Sequence, residues 1–527
     1  SWLSDGKAAM SSHKYPRERL ISFFGRANYS YKDRYMVTGS VRHEGSSKFG
    51  KNHRWGTFWA VSGGWRISNE AFLHDVSFLD DLKVRVGYGV TGNNNFSAGA
   101  STAMYSSNSM WPYNGTWITS YGPARNVNND LHWEKKAELN IGLDYAFLNN
   151  RLFGKFDIYK RRVSGMLYNI SVPNPPAVYE KTTMNYGNLE NTGWEFEIGG
   201  VPVKTKDFNW TTTMRLSHSS SKITSLWGNN TYQDRVGFPS PGTNGSAGRI
   251  EAGTKIGSYY IWKYAGITDN GRWLLYDKND NVILSDKKTY DDKRYIGNAI
   301  PALMVSWDHT FTYKNLSLGI NLRSWIDFDV FNTINMYYGL SEVAGQNVLR
   351  NAYIDNRHIK EVKQLCDYWL EDGTFLKIDA ISLGYSLNMK KWQKYIDKID
   401  LYLTVRNVAC FTKYSGLNPE VNVNGLDPGY EWFNNIYPET RRYTVGIPKS
   451  LRTLISRLRK LFILSWYALS HIGVGFTDST VPLFKNVQQM RCVSHKKEYI
   501  TMMSDIPNCS ITTGHLFTPT TKKPGVG

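Results

Sequence analysis

The chain has 527 residues, 14% of them aromatic, with 45 glycines and a formal net charge of +18. A mean hydropathy of −0.44, with no run of about 18 apolar residues, excludes a helical membrane protein but not a membrane β-barrel, whose strands alternate. The basic residues do not mass on one element, which argues against nucleic acid as a partner. Cys366, Cys410, Cys492 and Cys509 make neither a disulfide framework nor a CxxC pair.

Residues 1–18 read as polar and irregular. Period-two alternation then predicts strands over Arg19–Tyr31 and Arg34–His43, turning near Lys32-Asp33, followed by Trp55–Ile67 and Leu82–Thr91. Residues 92–130, rich in Asn, Ser, Gly and aromatics, read as a long loop. The clearest stretch is Leu131–Tyr168. Leu139, Ile141, Leu143, Tyr145 and Phe147 share one face against Asn140, Gly142, Asp144 and Ala146. Asn149-Asn150 supplies a two-residue turn, and Leu152, Gly154, Phe156 and Ile158 return opposite Lys155, Asp157 and Tyr159.

A proline-bearing loop (Pro173–Gly187) leads to strands at Gly193–Val203 and Phe208–Ser220. A loop over 225–255 carries Trp227 and Tyr232, and Ile256–Thr268 reads as the next strand. After an excursion at 277–300 come Ala302–Tyr313 and Leu316–Ile326. The stretch 328–373 has helical character around Asn356–Leu365. Phe375–Leu387, Ile399–Val408 and, after a loop at 412–440, Arg441–Ile447 complete the series.

The reading is an all-β chain of about 14 antiparallel strands, with tight turns alternating with very long loops. Short turns at one end and long excursions at the other fit an outer-membrane barrel better than a soluble sandwich. Alternation alone leaves a secreted soluble all-β glycan-binding protein open, with the apolar face turned inward.

Nine phrases in order carry a family resemblance: FFGRANYSYKDRY (23–35), SVRHEGSSKFG (40–50), SGGWRISNEAFL (62–73), LKVRVGYGVTGN (82–93), LHWEKKAELNIGLDYAFLNNRL (131–152), NYGNLENTGWEFEI (185–198), GNAIP (297–301), RNVACFTKYSGLNPEV (406–421) and YPETRRYTVGI (437–447). Over residues 19–447 the chain resembles the SusC/RagA-type TonB-linked outer-membrane transporters. The resemblance implies a transmembrane barrel of about 22 strands with an N-terminal plug in its lumen. It also implies a TonB complex acting through that plug, a SusD-like surface lipoprotein as lid, and oligosaccharide or peptide cargo taken up without covalent chemistry.

Nothing here resembles the plug or the earliest strands, and the chain opens at Ser1 without a signal peptide, so it reads as part of a longer protein. A barrel without its plug is expected not to transport. Residues 1–447 are thus assigned to the C-terminal part of the barrel. Pro448, which has no N–H for the ladder, is expected to damage the closing strand. Residues 448–527, with 11 Lys/Arg against 3 Asp/Glu, read as an unrelated basic tail. Within it, 451–469 fits a basic amphipathic helix on a membrane surface, while the abrupt mid-strand loss of match favours a frameshifted gene end.

Enzyme chemistry finds no support. The Asp277–Asn281 stretch lacks the Gly and the distal Glu of a calcium loop, GVTGNNN (89–95) lacks a P-loop lysine, and the histidines have no metal spacing. No catalytic residue, metal or cofactor is assigned. The candidate ligand contacts are loop aromatics, Trp111, Tyr113, Trp117, Trp227 and Tyr232, because such rings stack on sugar faces beside Asn hydrogen-bond partners.

Overall fold

The alternating segments form strands in the computed structural model. It describes residues 18–446 apart from 74, 97–99, 103–104, 229–230, 235–244, 343–346, 389–397, 422–424 and 432–437. In chain order the strands of the main sheet are β1 (Leu20–Tyr31), β2 (Tyr35–Ser46), β3 (Trp55–Arg66), β4 (Leu79–Asn93), β5 (Glu134–Phe147), β6 (Leu152–Ser171) and β7 (Lys181–Lys204). They continue as β8 (Phe208–Leu226), β9 (Leu303–Tyr313), β10 (Leu316–Ile326), β11 (Phe375–Asn388), β12 (Lys398–Thr412) and β13 (Arg442–Gly446). Each neighbours the next, so the 13 strands form one meander that runs open from β1 to β13. The expectations for residues 1–17, for Pro448 and for the basic tail lie outside the described residues.

The sheet has one strand fewer than expected because Ile256–Thr268 is not a barrel strand. Ser258–Ile261 pairs with Arg294–Asn298, and Tyr264–Ile267 pairs with Trp273–Tyr276, all outside the main sheet. Period-two alternation marks a half-buried strand wherever it packs, so it could not separate a loop sheet from a membrane crossing. The β5–β6 turn also differs: Leu148, Asn149 and Asn150 all have φ near +58° (58°, 57° and 58°), and Phe147 pairs with Leu152 across a four-residue connection, 148–151. Asp80 accepts a hydrogen bond from the Asn150 amide at 2.8 Å and fixes that turn.

Connections alternate in size. Residues 32–34, 148–151, 205–207 and 314–315 close one end; 94–133, 227–302 and 327–374 stand at the other. These are periplasmic turns and extracellular loops.

Which face meets lipid follows from exposure. The predicted apolar face is the exposed one: Val37 is 49% exposed, Ile141 43% and Ile158 43%, with Trp59, Val61 and Leu139 beside them. Ile141 stands opposite Val86 and Ile158, so the apolar side chains run in cross-strand rows. A contiguous apolar band of this extent is unfavourable in water and favourable against acyl chains. A soluble barrel would bury it.

Packed cores lie in the loops. The largest gathers Trp273, Trp369, Tyr259, Ile261, Met336 and Cys366, all fully buried, from residues 247–369. The expected helix near Asn356–Leu365 is absent; the α-helix of this region is Thr333–Tyr338. Asn356 instead spends its side chain on tertiary bonds, donating to Gly339 O at 2.7 Å and accepting from Tyr368.

The chain divides into two compact units, residues 1–381 with 405–442, and residues 382–404 with 443–527. Within the second, Ser382 Oγ lies 3.0 Å from Thr404 Oγ1 and Ser386 donates to Asp400 at 2.6 Å, side-chain bonds that tie β11 to β12.

Candidate functional site: the luminal wall and the extracellular loops

The face opposite the lipid is charged and self-paired. One register row runs Lys83, Asp144, Lys155, Glu197, Arg215, Ser306 and Arg323, each directly opposite the next on the adjacent strand. Signs alternate over the first five, an arrangement that favours this register, because a slip by one residue would turn every charge toward lipid. Arg85 reaches Asp144 at 2.8 Å and Asp157 at 3.1 Å. Gly142 makes that reach possible, since a Cβ there would stand 2.6 Å from both Arg85 Nη2 and Asp157 Oδ1. Arg215 likewise bridges Glu197 (2.7 Å) and Asp308 (2.5 Å). Nearby the wall is hollowed into a cavity of about 560 Å³ whose lining includes Asn28, Thr38, Ser62, Lys83, Arg85 and Asn140. Such a wall supports water and polar solutes.

The loop aromatics divide. Residues 92–130, expected as plain loop, contain a hairpin of Tyr105–Tyr113 and Thr116–Pro123. Its register sets Trp111 opposite Ile118, Pro112 opposite Trp117 and Tyr113 opposite Thr116. Trp111 and Tyr113 therefore share one face, and Trp117 lies on the other. All three are well exposed, at 64%, 65% and 61%. Trp227 directly follows β8 and is also exposed. Tyr232 belongs elsewhere: its ring stacks on the Arg249 guanidinium at 3.8 Å.

That contact opens onto a cluster the sequence reading missed. Arg249 is held by Asp234 through two bonds (2.7 and 3.1 Å) and lies 3.9 Å from the Tyr260 ring. Burial alone would lower its pKa, but the Asp234 carboxylate more than offsets this and holds it above the ordinary value. Lys293 is 5% exposed, donates to Ser246 O at 2.7 Å, and sits 4.4 Å from the Trp262 ring and 4.3 Å from that of Tyr290. Burial pushes Lys293 down to about 8 and Tyr290 up to about 12. The available signal was the aromatic run Tyr259-Tyr260-Ile261-Trp262, which was absorbed into a false membrane strand.

One pH effect follows. The unfolded chain keeps the Lys293 proton into the ordinary lysine range, whereas the folded loop releases it near pH 8. The loop region is therefore expected to gain about 2 kcal/mol of stability between roughly pH 8 and pH 10. Lys293→Met should abolish the gain in urea titrations followed by residue-resolved thiol labelling of Cys366, normalised to the unfolded rate. A flat profile in the unmodified protein would refute the assignment.

The Asp277–Asn281 stretch is a hairpin tip. Asp277 accepts from the amides of Asn279 and Asn281, both at 2.8 Å, and among the described residues no metal-ligating cluster is present.

An apolar exterior, a charged lumen and folded extracellular loops define the wall of an outer-membrane β-barrel. Residues 4–408 match the family model described as TonB dependent receptor-like, beta-barrel, and the chain belongs to that family. Its relatives make it of the SusC/RagA type. TonB-dependent receptor SusC of Bacteroides thetaiotaomicron is 31% identical over 463 residues, covering 84% of this chain and 45% of the relative. TonB-dependent receptor P39 of Formosa agariphila is 27% identical, covering 81% and 46%. The structure described as the RagAB peptide transporter matches with a TM-score of 0.69 and 26% identity, covering 84% of this chain and 49% of that one. The RagAB peptide importer in its closed-closed state gives 0.70 and 25%, covering 81% and 47%. The chain thus spans about half the length of the relatives it matches.

Proposed function

We propose that this chain forms a large part of the barrel wall and loops of a TonB-dependent importer for large polar nutrients, an oligosaccharide or a peptide. The observation that carries this reading is the two-sided sheet. A lipid-facing apolar band backs a luminal row of paired charges, which makes a wet conduit. The name of the RagAB peptide transporter supports uptake of a bulky cargo. In this reading a SusD-like lipoprotein covers the extracellular loops, and the TonB complex acts through a plug in the lumen. Transport of this kind needs no covalent step.

Cargo contact falls to Trp111 and Tyr113, whose rings lie in step on one face of the exposed hairpin, with Trp117 on its back and Trp227 at the mouth of β8. Tyr232 instead braces Arg249. Each stacked ring contributes about 1 kcal/mol. Replacing Trp111 and Tyr113 together with Ala in the intact receptor is therefore expected to weaken cargo binding about tenfold or more, with Trp117→Ala alone weaker in effect. Calorimetry on detergent-purified receptor reads this. Unchanged affinity in a properly assembled double variant would remove the hairpin from the site.

A further inference from the structure

We propose that the periplasmic rim between β5 and β10 is a binding surface for anionic phospholipid headgroups. Three turns meet there, 148–151, 205–207 and 314–315. They are bonded neighbours through the intervening strand ends: Arg151 O accepts from Val201 N, and Lys314 N donates to Asp207 O, both at 2.8 Å. Their ionic side chains are Arg151, Lys206, Lys314 and Asp207, all exposed. None of the three cations makes an ion pair among the described residues.

The neighbouring connections contrast with this arc. Arg34 pairs with Glu70, and Arg66 lies between Asp33 at 2.7 Å and Asp81 at 3.2 Å, which leaves Lys32 as the one cation of those connections without an ion pair among the described residues. Among the described residues, the β5–β10 arc gathers three such cations, with Asp207 and Asp80 as the neighbouring carboxylates.

On the lipid-facing side beneath these turns, Val203 stands opposite Trp210 and Trp210 opposite Phe311. The Trp210 and Phe311 rings stack at 5.6 Å with 19° between their planes. Lys314 folds its ammonium back over the ring of Tyr313, 5.4 Å from the centroid. One cation anchored on an interfacial ring and two more beside it, above an apolar slope, complement an amphiphile with a negative head and acyl tails. Because short turns face the periplasm, the source is a glycerophospholipid of the inner-facing leaflet.

Native mass spectrometry of the intact receptor, titrated with phosphatidylglycerol and phosphatidylcholine of equal chain length, tests the proposal. Three surface cations predict a preference for phosphatidylglycerol of roughly tenfold or more. It should vanish in the Arg151→Gln, Lys206→Gln, Lys314→Gln triple variant, with heat-modifiable migration unchanged. It should persist in a Lys255→Gln, Lys278→Gln, Lys287→Gln variant at the opposite end. Equal retention of both lipids by the unmodified receptor overturns the proposal. So does a preference that survives the rim variant or falls equally in the loop variant. If the rim variant misassembles, raising salt to about 0.5 M on the unmodified receptor decides: the preference collapses by screening, or it persists and the headgroup assignment fails.

Discussion

Ile320→Arg is expected to destabilise the assembled barrel by about 2–4 kcal/mol, while Asn321→Arg, one residue further along β10, costs under about 1 kcal/mol. Ile320 stands opposite His309 in the lipid-facing series that includes Leu318, Phe311 and Trp307. A guanidinium there must either enter the hydrocarbon or distort its surroundings to reach water. Asn321 faces the lumen and donates to Asp308 at 2.6 Å, so an arginine in its place keeps a carboxylate partner and a wet environment. Urea unfolding in lipid vesicles, with heat-modifiable migration as the assembly check, reads both variants. Equal costs would mean that the two faces of β10 do not differ in environment. The reverse order would turn the sheet inside out and remove the transporter reading with it.

The same two faces explain what the sequence made legible. Where one side of a strand meets lipid and the other meets water, hydrophobicity alternates, and the expected strands of β4, β5, β9 and β10 agree with the structure to within about four residues at each end. The signal fades where apolar residues thin out. β7 begins at Lys181, but in its first half, KTTMNYGNLENT, only Met184 and Tyr186 mark an apolar face, packed in a small core with Ile170 and Ile223, so only Gly193–Val203 was readable. That half is nonetheless laddered, with Asn191 opposite Arg161 on β6 and Ser221 on β8. The hairpin at 105–123 was hidden for the related reason that Trp111 and Trp117 lie on opposite faces, so both sides carry large rings and no period emerges. Candidate site residues were legible as exposed aromatics but not as a set. Tyr232 finds its partner Arg249 seventeen positions away through a loop sheet, and such pairing has no local signature.

The loop region itself offers the larger single-residue effect. Trp273→Ala is expected to cost the extracellular loop core about 3–5 kcal/mol. The Trp273 ring is fully buried, 5.3 Å from the Tyr368 ring and 5.8 Å from that of Trp369, and its Nε1 donates to Val362 O at 3.0 Å. Truncation leaves a cavity and removes the bond to Val362 O together. Cys366 reports the consequence, since its thiol is fully buried in the same core and burial raises its pKa, which makes it inert while the loops stay closed. Residue-resolved labelling at Cys366 should accelerate by roughly a hundredfold or more in Trp273→Ala. It should stay within about threefold in Trp227→Ala, whose ring is exposed. The barrel should keep its heat-modifiable migration in both variants, because the lost contacts lie outside the main sheet. Slow labelling in Trp273→Ala would mean that the loops are held by something other than this core. Fast labelling with cargo binding intact would separate the folded loop core from the capture of cargo and leave that role to the hairpin at 105–123 and Trp227.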